Sequence, residues 1–253
     1  MAAILALLLL FAIHPAAATP GALWQPLSRV DPVPRIYRGV PTGAYPAVGG
    51  IIIVLPDAVA LCSGTLVAPD VVLTAAHCVD GEPTRIVAAF FPDGATEEDH
   101  DAAAFAINPD YNPGRLAVAD IALIRLASPV PDVAPMPLPS AAPRPRRAGV
   151  IVGFGRDQSG MVGVKEMATV HLQRCPAVFP AAGLARGQLR SSLCWRPHHR
   201  GQDTCEGDSG GPLVVDGAVA GVTSGGYPQC PGRLSWDTNV ALYRPWIESL
   251  LGP

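Results

Sequence analysis

The stretch between positions 128 and 147 constrains the fold more than any other. It carries Pro129, Pro131, Pro135, Pro137, Pro139, Pro143 and Pro145. Proline has no backbone N–H and a fixed φ, so this density excludes both a helix and a central strand. The chain is therefore expected to fold as two halves joined by a proline-rich linker over 129–147. Before it lie short β-branched runs broken by Pro, Asp and Gly: Gly50-Ile51-Ile52-Ile53-Val54-Leu55, Gly64-Thr65-Leu66-Val67, Val71-Val72-Leu73-Thr74, Ile86-Val87-Ala88-Ala89-Phe90-Phe91 and Ile121-Ala122-Leu123-Ile124-Arg125-Leu126. After it come Gly149-Val150-Ile151-Val152-Gly153, Met167-Ala168-Thr169-Val170-His171-Leu172, Pro212-Leu213-Val214-Val215 and Val219-Ala220-Gly221-Val222-Thr223. These are strands. Two halves of similar size and texture predict an all-β chain of two small barrels or sandwiches side by side. Only the end has helical spacing, with Tyr243, Trp246, Ile247, Leu250 and Leu251 on one face.

Ahead of these halves the apolar run from Ala2 to Ile13 is too short to span a bilayer, and Ala16-Ala17-Ala18 offers the small residues that signal cleavage needs. Residues 1–18 are expected to be a signal peptide and 19–35, rich in proline and without periodicity, a pro-segment. A secreted chain with an even number of cysteines (Cys62, Cys78, Cys175, Cys194, Cys205 and Cys230) is expected to form three disulfides, their connectivity open at this point. The competing zinc reading lacks any C-x-x-C pair. Charged residues are 15% and the net charge is -3, so neither nucleic acid nor a membrane surface is an expected partner. Glu97, Glu98, Asp99 and Asp101 form an acidic patch around His100, read as solvated and not as a calcium loop.

Chemistry points to Asp203-Thr204-Cys205-Glu206-Gly207-Asp208-Ser209-Gly210-Gly211-Pro212. A catalytic serine needs a base to take its proton and donors to hold the oxyanion it creates. Glycines around Ser209 clear space for a substrate and allow the amides of Gly207 and Ser209 to converge. A plain glycine-rich turn would look the same, and Gly207 to Gly211 also fits the G-x-S-x-G elbow of α/β-hydrolases. The histidines separate these readings. His14 lies in the signal, His100 in the acidic patch, His171 along a strand, and His198 and His199 in a polar loop. His77 instead ends a buried strand followed by two alanines, beside Cys78. Asp120 precedes the apolar run at 121–126, where it is either a turn residue or the carboxylate that an imidazole Nδ1 requires. The order is His77, Asp120, Ser209, and no histidine follows Ser209, so the α/β-hydrolase order is excluded.

Thr74-Ala75-Ala76-His77-Cys78, Asp120-Ile121-Ala122-Leu123 and Gly207-Asp208-Ser209-Gly210-Gly211-Pro212 together resemble the signatures of the trypsin-like, chymotrypsin-fold (S1) serine endopeptidases, a resemblance running from about Ile36 to Leu251. It implies two packed six-stranded antiparallel β-barrels (36–128 and 148–240) with a C-terminal helix (241–253). It implies His77 as general base and then acid, Asp120 as its orienter, Ser209 as nucleophile, and an oxyanion hole from the Gly207 and Ser209 amides. It pairs Cys62 with Cys78, Cys175 with Cys194 and Cys205 with Cys230. Six residues before the nucleophile, Asp203 falls at the pocket floor and implies cleavage after Arg or Lys. Ser224-Gly225-Gly226 replaces the usual Ser-Trp-Gly, Ser224 and Gly226 being the substrate-binding positions, and the opposite wall is Gly232 or Ser235. Gly153-Phe154-Gly155 has Phe where Trp is usual. Activation is implied by cleavage after Arg35, the new Ile36 terminus pairing with Asp208, although Arg38 stands where the family has Gly. Because the Arg35 bond suits the pocket, autoactivation follows as an expectation. The implied partners are protein or peptide substrates and protein protease inhibitors, the chain is expected to act as a monomer, and no metal or cofactor is implied. The alternative is a non-catalytic relative acting as a binding module; such relatives usually lose one of the three residues, and all three stand here.

Overall fold

The computed structural model describes residues 36–91, 94–114, 118–177, 184, 188–199, 201–226, 230–232 and 234–251; the expected signal peptide, the pro-segment and Arg35 lie outside the described residues. A short β1 (Val40–Pro41) pairs with the second half of the chain, at Met167 and Glu166. The β-branched runs of the first half become β2 (Val48–Val54), β3 (Val59–Ala68), β4 (Val71–Thr74), β5 (Arg85–Phe90), β6 (Glu98–Ile107) and β7 (Ala122–Leu126). They close antiparallel into a barrel in the order β2-β3-β4-β7-β6-β5. Closure leaves no edge to pair with another chain. Its buried residues include Val48, Ile51, Ile53, Leu66, Val72, Leu73, Phe90 and Ile124, all but Val48 from the predicted runs.

The second half gives β8 (Ala148–Gly153), β9 (Glu166–Gln173), β10 (Ser192–Pro197), β11 (Pro212–Val215), β12 (Ala218–Gly226) and β13 (Ser235–Asn239). Pairings run β8-β9-β10-β13-β12-β11 and return from β11 to β8, so this sheet also closes with six strands, β1 lying alongside β9. The helix α1 (Val240–Leu251) follows and buries Val240 and Ile247 against the core. The chain is thus all-β, two six-stranded antiparallel barrels with one C-terminal helix.

Between Leu126 and Ala148 there is no strand or helix, as the prolines require. The linker is nonetheless tied down by backbone hydrogen bonds to both barrels, from Val130 to Pro69, from Met136 to Leu66 and from Val219 to Pro137. Two findings depart from the sequence reading. The patch at 97–101 is not only a solvated charge run: from Glu98 it is part of β6, held between β5 and β7, with Asp101 paired to Arg85 at 2.7 Å and His100 edge-on to Phe90. And β10 and β13 have little β-branched character, since their buried positions are taken by Cys194, Trp195, Ser235 and Asp237.

Asp237 is the most constrained of these. It is fully buried, and its Oδ2 accepts from Trp195 Nε1 at 2.6 Å, a contact that lets an indole fill the barrel without stranding its N–H. Burial pushes this carboxyl up to about 7, with the charge of Asp203 adding to the shift and the Trp195 and Thr223 donors opposing it. Between the ordinary 3.8 and about 7, the folded chain keeps a proton that the unfolded chain releases, so stability falls as pH rises through that window. Asp237→Asn keeps an acceptor for Trp195 and removes the charge. It is expected to raise Tm by roughly 5–10 °C at pH 8 and by little at pH 4. Scanning calorimetry at the two pH values checks this, and an equal shift at both would contradict it.

Candidate active site

At the end of β4 the chain leaves the barrel through Ala75, buried and too small to obstruct the turn, into a single 3-10 turn at Ala76–Cys78. The Cys62–Cys78 disulfide ties this turn back to β3. His77 therefore sits on a short, braced segment. Its backbone N–H donates to Asp120 Oδ1 at 3.0 Å and its Nδ1 lies 2.8 Å from Asp120 Oδ2. Asp120 is delivered from just before β7 by Ala119, which adopts a left-handed φ of 49°. Only 4% of Asp120 is exposed, whereas a third of the His77 side chain faces solvent. Burial alone would raise the Asp120 carboxyl, but the facing imidazole and the donors His77 and Ser224 outweigh it and hold the pKa below the ordinary value. Burial would likewise lower His77, and the hydrogen bond and charge of Asp120 reverse that and leave it raised. An ionised carboxylate on Nδ1 requires the proton there, leaving Nε2 free to act as a base.

Cys62, His77 and Cys78 have ligand atoms within 4.8 Å of one another, but both sulfurs are committed to their disulfide and offer no thiolate to a metal.

Ser209 enters from the second barrel on the loop before β11. Cys205–Cys230 tethers the loop on one side, and Asp208 anchors it from within. The Asp208 carboxylate accepts from the backbone N–H of Gly155 and of Cys205, both at 2.8 Å. It is completely enclosed, has no cationic partner among the described residues, and is pushed by burial up to about 7. Gly207 takes φ 98° and Gly210 takes φ 82°, a region where a side chain is strained. A Cβ at Gly210 would also collide with Thr74 Oγ1 and the Ser63 carbonyl. That contact shows how near Ser209 lies to the His77 turn, as does the Cys78 sulfur 3.7 Å from the Ser209 carbonyl. The Ser209 hydroxyl itself makes no hydrogen bond among the described residues.

Beneath this loop, Asp203 is buried with its Oδ1 accepting from Ser235 Oγ at 2.6 Å and the Thr204 N–H at 2.9 Å, and its Oδ2 from the Gly232 N–H. Burial raises its pKa and these three donors moderate the rise. The two candidates for the opposite wall are now distinct: Ser235 pairs across the ladder with Gly226, while Gly232 contacts Asp203 through its backbone. Ser224 turns its hydroxyl onto Asp120 Oδ2 at 2.6 Å. Ile36 is buried in the second barrel among Ile151, Val170, Trp195 and Leu213, and Tyr37 bridges to Asp203. Arg38 is held in a left-handed conformation, φ 57°, by Gln158 and Gln202. The third disulfide is Cys175–Cys194. Sequence reasoning overlooked Ser63, Gln158, Gln202 and Asp237. The only signal each offered was a polar residue beside an apolar or glycine-rich run.

The comparisons with known proteins agree with the two-barrel fold. The family model described as Trypsin matches residues 41–247. Factor V activator of Macrovipera lebetinus is 34% identical over 206 residues, covering 75% of this chain and 77% of that protein. Platelet-aggregating proteinase PA-BJ of Bothrops jararaca is 35% identical over 202 residues, covering 76% and 84%. The solved structure of neuropsin, a serine protease expressed in the limbic system of mouse brain, superposes with a TM-score of 0.71 at 27% identity, over 86% of this chain and all of that one. With barrels, turn and serine loop arranged as described, the matched span makes this chain a member of the trypsin family, a serine endopeptidase whose substrates are proteins.

Proposed function

We propose that the chain is a secreted, zymogen-activated endopeptidase that cleaves after Arg or Lys, with His77, Asp120 and Ser209 as its catalytic residues. The observation that carries this reading is the 2.8 Å pairing of His77 Nδ1 with Asp120 Oδ2, on a turn against which the Ser209 loop is packed from the other barrel. Ser209 Oγ attacks the scissile carbonyl while His77 Nε2 takes its proton, and Asp120 stabilises the imidazolium. The oxyanion is received by the Gly207 and Ser209 amides. Collapse transfers the His77 proton to the leaving amine and forms an acyl-enzyme, which water hydrolyses by the same steps in reverse. Asp203 is the counter-charge for the substrate side chain, its Oδ1 and Oδ2 already partly occupied by Ser235 and Gly232, which makes the slot shallow.

Maturation on this reading removes 1–18 as a signal and 19–35 as a pro-segment, leaving 36–253. Cleavage after Arg35, a bond suited to the enzyme's own pocket, frees the Ile36 amine for the buried carboxylate of Asp208. That carboxylate, raised to about 7 by burial without a cation, would be stabilised by an ammonium beside it. The mature enzyme acts as a monomer on protein substrates and is open to protein protease inhibitors.

Three outcomes test this reading. An active-site serine phosphonate should label processed protein stoichiometrically and fail to label Ser209→Ala; absence of labelling in the wild type would favour a binding module. Because His77 must be neutral to act and its pKa is raised, kcat/KM should climb with pH through a limb centred above 6.5. Asp120→Asn removes what raises it, so the limb should move to lower pH while kcat falls about 10⁴-fold; a flat profile from pH 5.5 to 8 would contradict His77 as base. On substrates differing only in Arg, Phe or Ala at the cut position, Arg should be preferred, and Asp203→Asn should cost roughly 10³-fold in kcat/KM for Arg. Preference for Phe would overturn the role of Asp203.

A further inference from the structure

We infer that Ser63 positions the oxyanion-binding amides from across the junction of the two barrels. The inference rests on the proposed roles of Gly207 and Ser209 and names a residue that acts through them. Ser63 lies on β3 and is completely buried. It holds the carbonyls of both residues whose amides form the proposed hole: its Oγ donates to the Gly207 carbonyl at 2.9 Å, and its backbone N–H donates to the Ser209 carbonyl at 2.7 Å.

The hydroxyl has one proton, and its direction is fixed by a third contact. The Phe154 N–H donates to Ser63 Oγ at 3.0 Å, so a lone pair faces Phe154 and the proton is free for Gly207. The Ser63 carbonyl in turn accepts from Thr74 Oγ1 at 2.9 Å, three residues before His77. One residue thus links the serine loop, the Gly153-Phe154-Gly155 segment and the turn that carries the base.

Gly207 needs such an anchor. Its φ of 98° is open to glycine, and with no Cβ its two peptide planes depend on hydrogen bonds for their orientation: the Glu206 carbonyl accepts from the Arg156 N–H at 2.7 Å, and the following plane is held by the Asp208 N–H on the Cys205 carbonyl at 3.1 Å together with Ser63 Oγ. The Gly207 and Ser209 carbonyls belong to the peptide planes that follow those residues, so clamping both restrains ψ at each end of the arc Gly207-Asp208-Ser209; with the Asp208 carbonyl held by the Gly211 N–H at 2.9 Å, the planes that carry the Gly207 and Ser209 N–H groups are kept from rotating against it. Oxyanion donors act on charge that exists only in the transition state, and a small misplacement is expensive there while substrate binding is spared. Ser63 is therefore a positioning residue whose loss should appear in kcat.

The test compares Ser63→Ala and Ser63→Cys with wild type, all as processed enzyme. Five quantities are measured: kcat and KM on an arginine amide substrate, affinity for benzamidine, affinity for a peptide aldehyde ending in arginine, and Tm. Benzamidine enters the Asp203 pocket without needing the hole, whereas the tetrahedral aldehyde adduct needs it. The Ala variant is expected to lose about 10- to 100-fold in kcat, with KM and benzamidine affinity within about twofold, and aldehyde affinity falling in step with kcat/KM. Cys, larger than Ser but a weaker donor, should fall between Ser and Ala, which a purely steric role would not produce. Unchanged kcat in Ser63→Ala overturns the inference, as does parallel weakening of benzamidine and aldehyde. If wild-type enzyme neither hydrolyses the substrate nor binds the aldehyde while still binding benzamidine, the reading of Ser209 fails and this inference falls with it. Should Ser63→Ala prove too unstable to assay, the Cys variant and its aldehyde-to-benzamidine ratio decide.

Discussion

The carboxylate of Asp120 holds the site together across two barrels. From its own barrel it receives both donors of His77; from the other it receives Ser224 Oγ on Oδ2, while Thr238 Oγ1 donates to its backbone carbonyl at 2.8 Å. A buried carboxylate without partners would be protonated or expelled. Here three hydrogen bonds and the facing imidazole keep it ionised, and the bond from Ser224, like that of Thr238 to the backbone, cannot form unless the second barrel is seated against the first. The charge that orients His77 is thus also a condition on how the halves dock. Ser63 repeats the arrangement in the opposite direction, reaching from the first barrel to the serine loop of the second.

The second barrel carries a different electrostatic load. Asp203, Asp208 and Asp237 are all buried, all raised by desolvation, and the charge of Asp203 adds to the shift of the other two. Each is supplied with neutral donors: Ser235, Gly232 and Thr204 for Asp203, Gly155 and Cys205 for Asp208, Trp195 for Asp237. Neutral donors lessen the cost of charge without removing it. Such a cluster is poised for cations. The proposed substrate side chain at Asp203 and the proposed Ile36 amine at Asp208 are the two the chemistry invites.

Much of the fold was readable because its hydrophobic signal is local. β-branched runs mark most strands of the first barrel, and the prolines at 129–145 mark the linker directly. The strands that escaped notice are the two-residue β1 and β6, β10 and β13, whose pairing is enforced by neighbours: β6 has no fully buried position, and β10 and β13 bury Cys194, Trp195, Ser235 and Asp237 where β-branched residues would have marked a strand. The pairing of His77 with Asp120 was readable through motif order, which also proposes Ser209 as their third member. Ser63 was not, because a serine beside Cys62 and Gly64 has no periodicity to betray that its Oγ meets Gly207, 144 residues away. The choice between Gly232 and Ser235 needed the β12–β13 register, which the short segment after Cys230 obscures from sequence alone.

All of this turns on one atom, Ser209 Oγ, receiving the acyl group. The direct measurement is mass spectrometry of processed enzyme incubated with a slowly deacylating guanidinobenzoate ester, quenched in acid and mapped by peptide. The account predicts a single acyl adduct on the peptide containing Ser209, its mass equal to the acyl group. An unmodified Ser209 with ester turnover intact, or acylation at another residue, would contradict it.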